Sequence, residues 1–126
     1  MPQVTLLLSN NIELGRLNLK EFFERVHEVL RDAPKMDVHT IHSGVLQESY
    51  SYIGINHPTA TKVYLQLCWM ESPERTAIKA HLGQQLMAVL EKDLAPQIRS
   101  QGLLCIPRVR ISTLGALNQD YFISAQ

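Results

Sequence analysis

The sequence lacks several features that mark well-known classes of protein. Its formal net charge is zero, with twelve basic and twelve acidic residues, so no excess charge draws it to nucleic acid or to an anionic membrane. No apolar run approaches the roughly 18 residues that a membrane-spanning helix needs. No charged segment precedes an apolar one at the N-terminus, so no signal peptide is expected. We therefore expect a cytoplasmic protein without nucleic-acid or membrane partners.

Cysteine is scarce, and so are motifs that bind cofactors. Cys68 and Cys105 lie in apolar stretches, which favours buried free thiols over a disulfide. There is no glycine-rich phosphate loop, no nucleophile elbow and no Cys/His pair. His39 and His42 lie three residues apart in a strand-like stretch and would point to opposite faces, which is unfavourable for joint metal ligation. We expect neither a metal nor a cofactor.

What the chain does contain is a regular alternation of strands and capped helices. The alternating residues 4–8 predict a first strand. Asn18 followed three residues later by Glu21 is typical of a helix start, and the apolar spacing over 19–30 predicts an amphipathic helix. The β-branched and aromatic stretch 37–55 predicts a second strand.

The second part of the chain repeats this pattern. Residues 63–70 alternate and predict a third strand. Ser72 is placed to cap a second helix with Pro73 at its first position, and Pro96 is expected to kink or end that helix. The stretch 105–113 predicts a fourth strand.

The order of elements indicates two β–α–β units, 2–55 and 61–114, within a single domain spanning 1–126. A helix between two strands is the crossover that parallel pairing requires. We therefore predict an α+β fold in which a duplicated β–α–β unit forms a four-stranded mixed sheet with two helices on one face. The other face is too apolar for water, which predicts oligomerisation through the sheet. The C-terminal segment 115–126 is expected to pack on a neighbouring subunit.

With its Met-Pro start, its apolar first strand and this element order, the chain resembles the tautomerase superfamily. Within that superfamily, the string MPQVTLLLSNNI resembles the start of the 5-carboxymethyl-2-hydroxymuconate isomerases. The resemblance implies a homotrimer and a cofactor-independent isomerase or tautomerase that moves a carbon–carbon double bond in an enol–keto or dienol acid, as in aromatic degradation. It implies that removal of Met1 makes Pro2 the general acid/base. It also implies that arginines bind the carboxylates of the substrate.

Pro2 is the strongest candidate from the residue chemistry as well. An N-terminal amine titrates near pKa 8, and apolar surroundings or a nearby cation disfavour its charged form. Such an amine is suited to take a proton from the carbon beside a carbonyl and to return it elsewhere. The alternative is that the proline is incidental, since proline is tolerated at the first residue of a strand.

Four further residues are candidates for binding a small carboxylic acid. Arg108 and Arg110 stand two apart on one strand and share a face, so they can clamp a carboxylate. Arg75 lies in the first turn of a helix, where an anion is also attracted. His42 stands where the relatives carry an arginine and can donate to a substrate oxygen. The alternatives are solvated charges and inter-subunit salt bridges.

Departures from the family pattern leave two other functions open. His42, Gly44 and Glu71 occupy places where the relatives carry arginines, which favours a catalytically altered trimeric binding protein with the same fold. A hydratase or dehalogenase acting on an unsaturated acid is the other alternative. In that case Pro2 would be charged and act as an acid, and Glu71 would activate water.

Overall fold

One four-stranded sheet organises the chain, and the computed structural model describes residues 2–114, with side chains through 112. The predicted segment 115–126 lies outside the described residues. The strands are β1 (Gln3–Leu8), β2 (His42–Gln47), β3 (Val63–Met70) and β4 (Arg108–Leu114). The helices are α1 (Leu19–Arg31), α2 (Pro73–Val89) and the short α3 (Ala95–Arg99).

The strands lie in the order β2-β1-β3-β4. Strand β1 runs parallel to β2, β3 runs parallel to β4, and the two central strands are antiparallel. Each parallel pair is joined through a helix, as a crossover requires. The predicted α+β class, with a mixed four-stranded sheet and two helices packed on one side, is confirmed.

The core lies between the sheet and the helices because buried side chains alternate along the central strands. In β1 the even-numbered residues are buried, and in β3 the odd-numbered ones are. The helices contribute apolar stripes at helical spacing. The fully buried side chains of this layer include Leu6, Leu8, Phe22, Leu30, Leu65, Leu67, Trp69, Leu86, Leu90 and Leu94.

The other side of the sheet, which we call the open face, carries no helix in the described part of the chain. Register partners on neighbouring strands share a face, so Thr5, Gly44, Gln66 and Arg110 form one row across it. Large apolar side chains are exposed at the margins of this face, Leu46 at 61% and Met70 at 49%.

Both main helices begin at the predicted caps. The Asn18 side chain accepts a hydrogen bond from the backbone N–H of Glu21, and the Ser72 hydroxyl accepts one from the backbone N–H of Arg75. Each cap satisfies one of the amides that a helix leaves unpaired at its start. Pro73 follows Ser72 at the first helical position, where its missing N–H costs nothing.

The second helix does not end at Pro96 but widens before it. A π-helical turn at Leu90–Leu94 separates α2 from α3. A proline inside an α-helix removes one hydrogen bond and clashes with the carbonyl four residues earlier. The wider turn relieves that conflict, so the chain continues as helix to Arg99.

The second strand is shorter than the stretch predicted for it. Residues Val38–Thr40 form a 3-10 turn, and β2 is confined to His42–Gln47. Beyond it the chain forms a loop in which Gly54 and Asn56 adopt positive φ, 59° and 53°. Backbone of that kind cannot continue a strand, so the prediction of a strand over 37–55 is wrong at both ends.

The two cysteines are free, Cys105 buried and Cys68 half-buried. Among the described residues, no helix combines the length and the apolar character needed to cross a membrane.

Candidate active site

Pro2 lies at the start of β1 and is buried. Its carbonyl accepts a hydrogen bond of 3.2 Å from the backbone N–H of His42, which aligns the first residues of β1 and β2. Because proline has no N–H, this position costs the sheet no donor. Pro2 is therefore a buried residue at one end of the sheet.

Trp69 and Arg75 occupy the same end of the sheet. Gln3 pairs with Cys68, so Trp69 lies one step further along β3, towards Pro2. Its ring is fully buried, and its Nε1 has no hydrogen-bond partner among the described residues. The Arg75 guanidinium lies 5.0 Å from the centroid of that ring, which places a positive charge near this end of the sheet.

The guanidinium of Arg75 binds three backbone carbonyls. Its Nε donates to Pro34 at 3.3 Å, its Nη1 to Met70 at 3.0 Å and its Nη2 to Lys35 at 3.3 Å. These bonds tie the end of β3 to the loop that follows α1. To bind a substrate carboxylate with the same nitrogens, Arg75 would have to break some of these three hydrogen bonds. Its role in substrate binding stays a prediction.

Arg108 and Arg110 lie on the open face, where each is exposed. Arg108 pairs with Tyr64 and Arg110 with Gln66, and within the described part of the chain neither guanidinium makes a hydrogen bond or an ion pair. From strand spacing and rise, their Cα atoms lie about 16 Å and about 12 Å from that of Gln3, beside Pro2. A single arginine side chain spans neither distance, so one chain alone does not bring these two arginines to Pro2.

The other predicted residues lie nearer to Pro2 or at the adjoining turn. His42 is the register partner of Gln3 and is exposed on the open face. Glu71, just after β3, accepts a hydrogen bond from the Thr76 hydroxyl and lies 3.6 Å from the Lys79 ammonium. His42 is thus the candidate that the fold places beside Pro2, whereas Glu71 is engaged by the start of α2.

One close polar pair escaped the sequence analysis. His27 on α1 and Ser43 on β2 approach to 2.6 Å between Nε2 and Oγ. They are 16 residues apart, so no local motif reveals them. Burial lowers the pKa of His27 below its ordinary value. The one feature of the sequence that could have indicated this pair is the place of His27, on the flank of the apolar stripe of α1.

Five cavities of the described part run along the helices, with volumes of about 300 to 510 Å³. None of these five is lined by Pro2, His42, Arg75, Arg108 or Arg110. Nor do three or more His, Cys, Asp or Glu side chains of the described residues come together in a way that could hold a metal ion. None of these five cavities therefore provides a substrate site at Pro2.

No family model matches the chain, and no curated protein matches it in sequence. Solved structures do match it in fold. A 5-carboxymethyl-2-hydroxymuconate isomerase from Deinococcus radiodurans is 21% identical, with a TM-score of 0.67 over 95% of this chain and 93% of that one. A 5-carboxymethyl-2-hydroxymuconate delta-isomerase is 16% identical, with a TM-score of 0.66 over 92% of this chain and 83% of that one.

A macrophage migration inhibitory factor-like protein from Entamoeba histolytica has the same architecture. It is 11% identical, with a TM-score of 0.59 over 93% of this chain and 91% of that one. At these identities the likeness shows the fold alone. The fold shared with these proteins is the one that the resemblance in the sequence predicted.

Proposed function

We propose that this chain is a cofactor-independent tautomerase that moves a proton in an enol–keto or dienol acid, with Pro2 as the general acid/base. The observation that carries the proposal is the position of Pro2, buried immediately before the first strand of a tautomerase-type fold. Removal of Met1 would convert its ring nitrogen from an amide to a secondary amine. That amine is the base in the proposed reaction.

The chemistry follows from the protonation state of this amine. Burial disfavours the ammonium form, and the Arg75 guanidinium above the Trp69 ring acts in the same direction. A neutral amine takes a proton from the carbon beside a carbonyl, and the electron pair of the broken C–H bond forms the enol double bond. The ammonium then returns the proton to the far carbon of the conjugated system.

We further propose a homotrimer in which the open face is buried between copies. Support comes from the exposed Leu46 and Met70 on this face and from the distance between Pro2 and the two arginines within one chain. A neighbouring copy would bring Arg110, with Arg108, towards the Pro2 of the first chain. Two guanidiniums without a partner among the described residues suit the carboxylate of a small acidic substrate.

The decisive experiment combines the mass of the protein with one substitution. We expect protein purified from its own host to lack Met1 and to turn over a phenylenolpyruvate-type substrate. Pro2→Ala should lower kcat by about 100-fold or more, as loss of a general base does. Pro58→Ala, in an exposed loop, is the matched control and should leave turnover unchanged. Retained Met1, or full turnover by Pro2→Ala, would contradict the proposal.

A catalytically altered binding protein is the second candidate, favoured by the state of Arg75. All three of its guanidinium nitrogens already bind backbone carbonyls, and His42, Gly44 and Glu71 stand where relatives carry arginines. An NMR titration of the Pro2 nitrogen separates the two functions. An amine with its ordinary pKa near 8, together with no enol turnover, would favour the binding protein.

A further inference from the structure

Ser43 follows His42 in β2 and pairs with Val4 of β1, and the His27–Ser43 pair has the geometry of a base and a nucleophile. The 2.6 Å between Nε2 and Oγ is within the range at which a histidine takes a proton from a hydroxyl. Both side chains are half-buried rather than sealed off. We propose that Ser43 is a nucleophile, activated by His27, that accepts the acyl group of a small ester.

The histidine is in the state that such a base requires. Burial lowers the pKa of His27 from 6.5, so its ring is neutral at pH 7. With Nε2 accepting the serine proton, Nδ1 carries the ring hydrogen, and none of the described residues binds it. Glu24 and Glu28 line the same cavity as His27.

A cavity of about 450 Å³ lies on the His27 side of the pair, and an ester bound there would approach Ser43 from the imidazole. His27 lines it together with Phe23 and Val38. These apolar side chains suit a short acyl chain or an aromatic leaving group.

The edge position of β2 adds a backbone donor. His42 donates its N–H to Pro2, and Glu48 donates its N–H to Leu8, so the even-numbered amides of β2 point towards β1. The odd-numbered amides, including that of Ser43, point to the outer edge, where the described sheet has no further strand. The N–H of Ser43 is thus available to the oxyanion that forms at its own acyl carbon.

The proposed step is balanced without a cofactor. The Ser43 Oγ forms a bond to the acyl carbon as its proton passes to His27 Nε2. The bond between that carbon and the alcohol oxygen then breaks, and the proton on His27 leaves with the alcohol. Water repeats the sequence on the acyl-serine, releasing the carboxylic acid and restoring the hydroxyl.

The test uses 4-nitrophenyl acetate as the ester and reads both nitrophenol release and the site of acetylation. Cleavage after Lys35 and Lys62 gives a peptide of residues 36–62 that contains Ser43, whereas Pro2 lies in a different peptide. We expect a burst of nitrophenol and an acetyl group on Ser43. Ser43→Ala and His27→Gln should each slow the burst by about 100-fold or more.

Matched controls separate chemistry from folding. Ser49→Ala removes an exposed serine of the same peptide, and His81→Gln removes an exposed helical histidine; both should keep the full burst. Added imidazole should restore acetylation of Ser43 in His27→Ala, which a purely structural histidine would not show. Acetyl groups only on Pro2 or on lysines, or a full burst from Ser43→Ala, would overturn the proposal. Turnover of the enol substrate reports on Pro2 separately, so the two proposals fail independently.

Discussion

The two β–α–β units share one topology but divide the chemistry between them. In the first unit, β2 presents His42, Gly44 and Leu46 to the open face, without a guanidinium. In the second, β4 presents Arg108 and Arg110 to the same face. Pro2 begins the first unit. The apolar pattern that forms the core is repeated, whereas exposed positions are free to differ, and the candidate base and the candidate anion-binding residues have come to lie in different units.

The connections after the two helices also differ. The first unit reaches β2 through a loop with a single 3-10 turn, whereas the second passes through the π-helical turn and α3 before reaching β4. Arg75 joins the units, because it belongs to the second and binds the carbonyls of Pro34 and Lys35 in the first. The two units therefore depend on one another.

The largest effect is expected from breaking the core in either unit. Phe22→Ala and Leu86→Ala each remove a fully buried side chain facing the sheet and should cost about 3–5 kcal/mol of unfolding free energy. Trp69 is the sole tryptophan and belongs to the second unit. If the units fold as one, Phe22→Ala shifts the urea transition of Trp69 fluorescence as far as that of the far-UV circular dichroism. Separate transitions would show that they unfold independently.

The next effect concerns whether β2 or β4 binds the anionic group of the substrate. Arg110→Gln should raise KM for an acidic substrate and lower kcat/KM by about 10- to 100-fold, since hydrogen bonds to charged groups contribute about 1.5–3 kcal/mol. Arg108→Gln and His42→Gln should have smaller effects. Arg16→Gln, on an exposed turn, is the control. A larger loss from His42→Gln than from Arg110→Gln would place the anion site in the first unit.

A smaller effect is expected at the helix caps. Asn18→Ala and Ser72→Ala should each cost about 1 kcal/mol in urea denaturation. The loss at Asn18 should be the larger, because its side-chain amide also donates to the Glu21 carboxylate at 3.0 Å. Ser72→Thr keeps the capping oxygen and should cost little, whereas Asn18→Asp keeps that oxygen but replaces the donor to Glu21 with a second carboxylate. Equal losses at both caps would show that the Glu21 contact contributes nothing.

The smallest effect concerns the ion pair between the units. Lys62 lies 2.9 Å from Glu48, and its hydrogen bond is the main cause of the lowered pKa of that carboxyl. A lowered folded-state pKa adds stability above the unfolded value of 4.5, and this stability is lost as pH falls through the folded value. Glu48→Gln should therefore lose less stability between pH 7 and pH 3 than the unmodified chain, by up to about 1 kcal/mol.

The control is Glu24→Gln, an exposed carboxylate on α1. It should leave the difference in unfolding free energy between pH 7 and pH 3 close to that of the unmodified chain. Identical pH dependence in the Glu48→Gln protein and the unmodified chain would mean that the Lys62 contact is of no consequence to folding.

The spacing of apolar residues was sufficient to predict the strand that has a neighbouring strand on each side. Strand β3 is central and alternates over the whole of Val63–Met70, so its prediction matches the structure. The caps Asn18 and Ser72 are local side-chain interactions, which a short sequence window contains in full. These parts of the fold were predictable because the residues that determine them are neighbours in sequence.

Propensity failed where tertiary contacts decide. Tyr50, Tyr52 and Ile55 favour a strand, yet all three are exposed in a loop. That loop is held instead by the Asn11 side-chain amide, which donates to the carbonyls of Pro58 and Ala60. The spacing of residues in a single sequence does not indicate contacts between residues so far apart in the chain.

The candidate site shows the same difference between features set by local sequence and features set by long-range contacts. The position of Pro2 at the start of β1 follows from sequence, and so does the shared face of Arg108 and Arg110. The hydrogen bonds that engage Arg75 depend on a loop some forty residues away. The His27–Ser43 pair depends on the packing of α1 against β2. Both required the fold to be known.

The π-helical turn also determines the direction in which the side chains of α3 and the following turn point. Each residue of a helix turns the chain by about 100°, so removing one residue from Leu90–Leu94 would swing α3 by roughly that angle. Gln97 and Gln101 now accept hydrogen bonds from the backbone N–H groups of Asn18 and Glu13, at 2.7 and 2.9 Å. Shifted out of phase, both glutamines would point elsewhere, and the loop leading into α1 would lose these two hydrogen bonds.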